Sequence, residues 1–310
     1  MARSRRALGW LLAVAAAGCR EPPAPTVAAQ PADAGAGRQA QASGAQERAA
    51  RLFHEAGARG ALVMLDVADG AAVASIGVGR DVDAPVTPLS VIKIYLAALW
   101  WDQGLGDGRL AHPRAGPVTV HDMLVAGYDR PGFDMAAALR RSLGDEAMRA
   151  ALARYGLGAA PGHLSLTASD DPAWGDTLSI GEKRVTVTLG QVSSFLRAIG
   201  AGGAGLVGPD TARRLQSAML DAVDRGTAKS AAPRLAGTGW QLGGKTGTGP
   251  DVVGPTSDGW FAGLVFEDRR PRYTIAVFVE DRGPGGGVAA SFAAEMAVVA
   301  AGLEVTAPSR

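Results

Sequence analysis

Apolar runs typical of β-strands lie near both ends of the chain, whereas helix-like spacing dominates its middle. The strand-like runs span residues 61–65, 71–76, 260–266 and 273–279. Asp69-Gly70 separates the first two runs, and an Asp-Gly pair favours the tight turn of a β-hairpin. Residues 268–271 provide a turn between the last two runs. The pattern predicts two hairpins, one near each end of the chain.

Between these hairpins the residues show helical spacing or helix-favouring composition. The segments are 91–101, 121–125, 135–143, 146–155, 191–199 and 211–223, with further helices expected at 47–57 and 289–303. The simplest packing pairs the terminal strands in one antiparallel sheet, with the terminal helices against it and the middle helices as a lobe beside it. This predicts an α/β (α+β) fold whose functional site lies in the cleft between sheet and lobe.

The first residues have the features of an export signal. Basic residues at 3, 5 and 6 precede an apolar stretch at 7–17, which is too short to span a bilayer. The stretch ends in the letters AAGC, which resemble a bacterial lipobox and imply cleavage before Cys19 and lipidation of that residue. We therefore expect a signal peptide at 1–18, a flexible tether at 19–46 and a folded domain at 47–310, anchored to a bacterial membrane on its periplasmic or extracellular face.

Charge and composition narrow the function classes. A formal net charge of +1 gives no reason to expect a nucleic acid as partner. The four histidines show no metal-ligand spacing, so no metal or other cofactor is expected. The chain has only four lysines among 31 Lys and Arg residues, and it has no Asn. Two of these rare lysines lie in the strings described next. Nothing in the sequence indicates an oligomeric state.

The first chemical string is Ser90-Val91-Ile92-Lys93, which opens an apolar helix. Residues three apart share a helix face, so the two polar side chains of this string can meet. A serine hydroxyl needs a base to become a nucleophile, and a lysine in an apolar pocket has the lowered pKa that suits a base. The helix N-terminus also offers N–H groups to a developing oxyanion. By itself the string is a weak signal, and a capping Ser with an unrelated surface Lys is the more frequent explanation of it.

The second string is Gly243-Gly244-Lys245-Thr246-Gly247-Thr248. Residues 239–246 also match a nucleotide-binding P-loop, but that loop needs a buried strand before it and a helix after it. The Gly- and Pro-rich stretch at 249–255 is incompatible with such a helix. We expect instead an open-sided strand on which Lys245 and Thr246 hold a substrate carboxylate. Gly247 would leave room for the substrate, and the N–H of Thr248 would face that of Ser90 as an oxyanion hole.

SxxK followed by KTG is the motif set of penicillin-binding proteins and serine β-lactamases, and the sequence resembles this superfamily across 60–303. Shorter stretches at 179–188, 223–228 and 259–263 are also similar to its transpeptidase domains. The resemblance implies a β-lactamase/transpeptidase-like fold. It also implies an acyl-serine enzyme that needs no cofactor, with a peptidoglycan peptide or a β-lactam as its partner.

The middle motif of this superfamily, Ser-x-Asn, is altered here because the chain has no Asn. Three stretches fit its place, in order of preference Gly132-Phe133-Asp134, Gly127-Tyr128-Asp129 and Ser169-Asp170-Asp171. We favour the first because a helix continues directly after Asp134. An Asp at this position would raise the pKa values of Lys93 and Lys245 and oppose the base role of Lys93. A water or the Tyr128 hydroxyl would then have to pass the proton that the motif's Ser passes in the family.

Three functions remain open on the sequence. The first is a D,D-transpeptidase or carboxypeptidase that acts on D-Ala-D-Ala peptides and is acylated by β-lactams. The second is a serine β-lactamase, although nothing matches the Glu-x-x-Leu-Asn stretch that serves deacylation in class A enzymes. The third is a catalytically degenerate binding or sensing module, which the altered middle motif suggests.

Overall fold

Five antiparallel strands drawn from both ends of the chain form one sheet in the computed structural model, which describes residues 32–166, 178–182, 184–249 and 257–303. The strands are β1 (Arg59–Asp66), β2 (Ala72–Val78), β5 (Trp240–Gly249), β6 (Asp258–Glu267) and β7 (Arg270–Glu280). Their order is β2-β1-β7-β6-β5, and β1 pairs with β7 along its whole length. This joins the two predicted hairpins into one sheet, as expected, and leaves β5 at an edge.

The helices surround this sheet on both faces. They are α1 (Ala32–Glu55), α2 (Ile92–Asp102), α3 (Val120–Ala126), α4 (Asp129–Leu143), α5 (Asp145–Arg154), α6 (Leu189–Gly200), α7 (Pro209–Asp224) and α8 (Val288–Ala300). Two 3-10 helices span Leu89–Val91 and Lys229–Leu235, and β3 (His163–Leu164) pairs with β4 (Val185–Thr186). The predicted α+β architecture of a sheet, terminal helices and a helical lobe is confirmed.

The sheet separates two hydrophobic cores, and β7 shows how the strand pattern feeds both. Ile275 and Val277 pack into the core under α1 and α8, whereas Ala276 and Phe278 point into the core shared with the helical lobe. Successive side chains on a strand face opposite ways. A strand covered on both faces therefore reads as a continuous apolar run, as β7 does.

Helix α1 begins 15 residues earlier than the predicted start at 47, at Ala32. The expectation of a flexible tether is therefore wrong for residues 32–46. Alanine and glutamine are good helix formers, and small side chains suffice for the packing because Ala45 and Ala49 are fully buried. The Gln46 side chain also bonds the backbone of Ser75 on β2 in both directions, at 2.7 and 2.9 Å. The sequence lacked large apolar residues here, so periodicity alone missed the contact.

The signal peptide and Cys19 lie outside the described residues. Within the part of the chain that is described, no helix combines the length and the apolar character needed to cross a membrane.

Two neighbouring alanines on α1 provide a test of its packing. Ala49→Glu places a carboxylate in the core and should lower the free energy of unfolding by about 2 kcal/mol or more. Ala50→Glu, on the exposed side of the same turn, should change it by less than about 0.5 kcal/mol. Urea denaturation followed by circular dichroism measures both. Equal stabilities for the two variants would contradict the docking of α1.

Candidate active site

Ser90 and Lys93 meet at the start of the helical lobe. Ser90 lies in the 3-10 turn Leu89–Val91, and α2 follows directly. The Lys93 side chain is completely buried, and its Nζ lies 3.1 Å from the Ser90 Oγ. Every other residue of α2 from Ile92 to Trp101 is buried as well. The packing of this apolar helix therefore fixes the position of the Lys93 side chain.

The turn that carries Ser90 is held in an unusual backbone conformation. Leu89 has a φ of +51°, which is uncommon for a residue with a β-carbon. The backbone of Gly181 packs directly against that of Leu89, so that a β-carbon at position 181 would lie 2.2 Å from the Leu89 carbonyl oxygen. On the other side, the Trp260 indole donates to the Thr87 carbonyl at 2.9 Å. Contacts from two directions therefore fix the turn, as a strained functional loop requires.

The string 243–248 lies on β5, the edge strand next to this turn. A β-carbon at Gly247 would lie 3.1 Å from the β-carbons of both Leu89 and Trp260, so this glycine permits the close approach of the strand and the turn. Lys245 is buried, and its ammonium donates to the Thr246 carbonyl at 2.8 Å. Thr248 accepts a hydrogen bond through its Oγ1 from the N–H of Gly285 at 3.2 Å. A P-loop would place residues 239–246 in a loop followed by a helix. Here they lie mostly on β5, and the next described element is the strand β6, so the P-loop match is not a nucleotide-binding loop.

The middle of the site is formed by Gly127 and Asp129, not by the stretch the sequence favoured. Lys93 Nζ donates to the Gly127 carbonyl at 3.2 Å and to the Asp129 carboxylate at 2.5 Å. Gly127 ends α3 with a φ of +73°, and Asp129 is the first residue of α4. This turn between two helices brings both groups to the cleft.

The preference for Gly132-Phe133-Asp134 is wrong because α4 begins at Asp129 and not at Met135. Asp134 therefore sits on the second turn of a helix, where it pairs with Arg130 at 3.5 Å. Gly132 does border the site, since a β-carbon there would lie 3.2 Å from the Lys93 Cε. The Tyr128 ring packs against His112, with 4.3 Å between the ring centroids. The third candidate, at 169–171, lies outside the described residues.

Thr227 belongs to the site and was not selected from the sequence. Its Oγ1 lies 2.7 Å from the Thr246 Oγ1, so Thr246 is oriented by a second hydroxyl. A β-carbon at Gly127 would lie 3.1 Å from the Thr227 Cγ2 and 3.5 Å from the Lys245 Nζ. Thr227 was visible only as part of a stretch at 223–228 that resembles transpeptidase domains, because a lone threonine has no distinctive spacing.

Burial controls the charge of both lysines. It lowers the pKa of Lys93, and the neighbouring Asp129 carboxylate offsets part of that effect. Burial, with a smaller contribution from the Lys93 charge, lowers the pKa of Lys245 to about 7. Asp129 again acts in the opposite direction. The sequence predicted that an Asp at the middle motif raises the pKa values of Lys93 and Lys245, and Asp129 does act in that direction. Desolvation has a larger effect, so both pKa values are lowered overall.

A serine, a buried lysine, an edge strand and a helical lobe thus surround one cleft. The family model of the penicillin binding protein transpeptidase domain matches residues 134–297. This is more than half of the chain, which therefore belongs to that family. The matched region includes the Lys-Thr-Gly strand, while Ser90, Lys93 and Asp129 precede it.

Solved structures of this family have the same fold. The D,D-transpeptidase domain of a peptidoglycan glycosyltransferase from Eggerthella lenta is 18% identical, with 82% of this chain and 80% of that chain covered and a TM-score of 0.68. PBP2 from Pseudomonas aeruginosa is 20% identical, with 83% and 76% covered and a TM-score of 0.68. The transpeptidase domain of FtsI4 from Legionella pneumophila is 19% identical, with 83% and 94% covered and a TM-score of 0.64. A comparison with curated proteins gave no match.

The scarcity of lysine allows the charge state of Lys245 to be measured directly. With four lysines in the chain, lysine labelled with ¹³C at Cε gives a readily assigned spectrum. We expect one resonance to titrate near pH 7, because burial disfavours the ammonium form. Lys245→Arg should remove that resonance, whereas Lys229→Arg should remove a different one. A Lys245 resonance with the midpoint of an exposed lysine would contradict the buried position of this side chain.

Proposed function

We propose that this protein is an acyl-serine enzyme that cleaves D-Ala-D-Ala peptides of peptidoglycan and is acylated by β-lactams. The observation that supports this most directly is the 3.1 Å contact between the Ser90 hydroxyl and the buried Lys93 amine. That pair lies beside an edge strand that carries Lys245 and Thr246. Membership of the transpeptidase family supports the same class of reaction.

In the proposed reaction, the Ser90 Oγ attacks the carbonyl carbon of the scissile amide while its proton moves toward Lys93. The backbone N–H groups of Ser90 and Thr248 stabilise the oxyanion that forms. The carbon–nitrogen bond then breaks, the leaving nitrogen receives a proton, and an acyl ester remains on Ser90. An amine acceptor or a water completes the cycle by attacking that ester.

Lys245 and Thr246 hold the carboxylate that both D-Ala-D-Ala peptides and penicillins carry. Lys245 supplies a positive charge below its pKa of about 7. Thr246 supplies a hydroxyl whose direction is set by Thr227. Gly247, close against the Ser90 turn, leaves the strand without a side chain at that point.

Replacement of the nucleophile tests the proposal. The full chain mixed with benzylpenicillin should gain the mass of the drug, and Ser90→Ala should gain none, because the ester cannot form. Ser194→Ala is a matched control, since Ser194 lies on α6 with its hydroxyl bonded to the Gly190 carbonyl. Time-resolved intact mass spectrometry provides the measurement.

The time course separates the remaining functions. A lasting adduct supports a transpeptidase or carboxypeptidase. Ser90-dependent drug hydrolysis with little lasting adduct indicates a serine β-lactamase. If the wild type gains no mass and consumes neither benzylpenicillin nor a D-Ala-D-Ala peptide, the proposed activity is refuted and a binding module is favoured.

We also propose that the chain is exported and anchored to a bacterial membrane through lipidated Cys19. The basic start, the short apolar stretch and the lipobox-like end at the only cysteine support this. Cys19→Ser should shift the protein from the membrane fraction to the soluble fraction of an expressing bacterium, because the acyl chains are lost. Cell fractionation with immunoblotting measures the shift, and Ser43→Ala serves as the control. Retention of the Cys19→Ser variant in the membrane fraction would refute the anchor.

A further inference from the structure

The Lys93 amine has three hydrogen-bond acceptors and no free position. They are the Ser90 hydroxyl at 3.1 Å, the Gly127 carbonyl at 3.2 Å and the Asp129 carboxylate at 2.5 Å. An ammonium group has three N–H donors and no lone pair. The geometry is therefore that of a fully satisfied ammonium, which cannot accept a proton from Ser90 until it has given one away.

Among the three acceptors, only Asp129 is able to take that proton. A backbone carbonyl does not hold a proton at ordinary pH, and the Ser90 hydroxyl is the group that has to lose one. The Asp129 side chain is also 59% exposed, whereas Lys93 is 0% exposed. Its carboxylate thus connects the buried amine with the open cleft.

We propose that Asp129 is the proton acceptor for Lys93 and takes over the proton transfer that a serine performs in the family's middle motif. The inference rests on the proposed acyl-serine function. In the stretch Gly127-Tyr128-Asp129, read as the counterpart of Ser-x-Asn, Gly127 takes the serine position and has no hydroxyl. The carboxylate two residues further on is the protonatable group that the structure brings to Lys93.

The proton balance of this step is closed. A proton moves from Lys93 Nζ to the Asp129 carboxylate, which leaves a neutral amine and a neutral carboxylic acid. The amine lone pair takes the proton of Ser90 as its oxygen attacks the carbonyl carbon. When the carbon–nitrogen bond breaks, Asp129 gives its proton to the leaving nitrogen. The products are the acyl ester, the Lys93 ammonium and the Asp129 carboxylate, so the pair returns to its starting state.

Burial disfavours the ammonium form of Lys93, because its positive charge lies inside the protein. Desolvation already lowers the pKa of Lys93. Among the described residues, Lys245 on β5 is the other charged group coupled to the pair, and burial lowers its pKa to about 7. Lys245 is assigned to carboxylate binding. Its titration should therefore change the drug concentration needed for half-maximal acylation, more than the rate at saturation.

Asp129→Asn tests the inference, because the amide keeps a hydrogen bond to Lys93 but does not accept a proton. The acylation rate of Ser90 at saturating benzylpenicillin should fall about 100-fold at pH 7, the order of loss usual for a general base. The remaining rate should rise with pH, since Lys93 must now lose its proton to solvent. The wild-type rate should change little across neutral pH, because the proton stays within the pair. Asp129→Glu should retain at least about a tenth of the wild-type rate.

A purely electrostatic role for Asp129 predicts a different acylation rate for Asp129→Asn. If Asp129 only held Lys93 in its charged form, Asp129→Asn would lower the pKa of Lys93 further and acylate as fast as the wild type or faster at pH 7. That result would overturn the inference. Asp134→Asn is the matched control on the same helix, since it removes only the pair with Arg130, and its rate should be unchanged. If the wild type forms no Ser90 adduct, the proposed function itself fails, and this inference fails with it.

Discussion

The burial of one lysine in an apolar helix is the constraint on which the site depends. Helix α2 is buried along nearly its whole length, and Lys93 is a charged residue among buried, mostly apolar neighbours. A buried amine needs partners for its hydrogen-bond donors. The carbonyl and carboxylate at the α3–α4 turn meet that need, so the turn and the start of α4 are fixed relative to Ser90. The other groups of the cleft are arranged around this anchor.

The same constraint makes the altered middle motif understandable. Removing the motif's serine and asparagine without replacement would leave the buried amine short of acceptors. Here the Gly127 carbonyl and the Asp129 carboxylate supply them. The altered motif therefore still provides hydrogen-bond acceptors for the Lys93 amine, but the Asp129 carboxylate adds a negative charge to the cleft. Whether a family member keeps its chemistry after such a change depends on where the proton of the lysine can go.

Most of the fold followed from the sequence, because strands buried on both faces give long apolar runs and the two hairpin turns are local. The contact between Ser90 and Lys93 could be predicted from their spacing of three residues. The role of residues 245–248 could be predicted from the Lys-Thr-Gly motif. The correct middle stretch could not be chosen, since it depends on whether α4 begins at residue 129 or 135. The early start of α1 was also missed, because its packing depends on small alanines and on Gln46, whose side chain bonds the backbone of Ser75. Neither gives a hydrophobic periodicity. Thr227 needed the tertiary structure, since its partner lies 19 residues away.

The position of β5 at the edge of the sheet has a consequence for selectivity. No strand among the described residues pairs with its outer side, so its backbone N–H and C=O groups on that side can receive an extended chain. A ligand held in this way is recognised chiefly through its own backbone. Under the proposed function, a peptide that pairs with this edge would have its direction set by the strand, while its side chains that point away from the strand would be tolerated. The few groups around Lys245 would then distinguish one peptide from another.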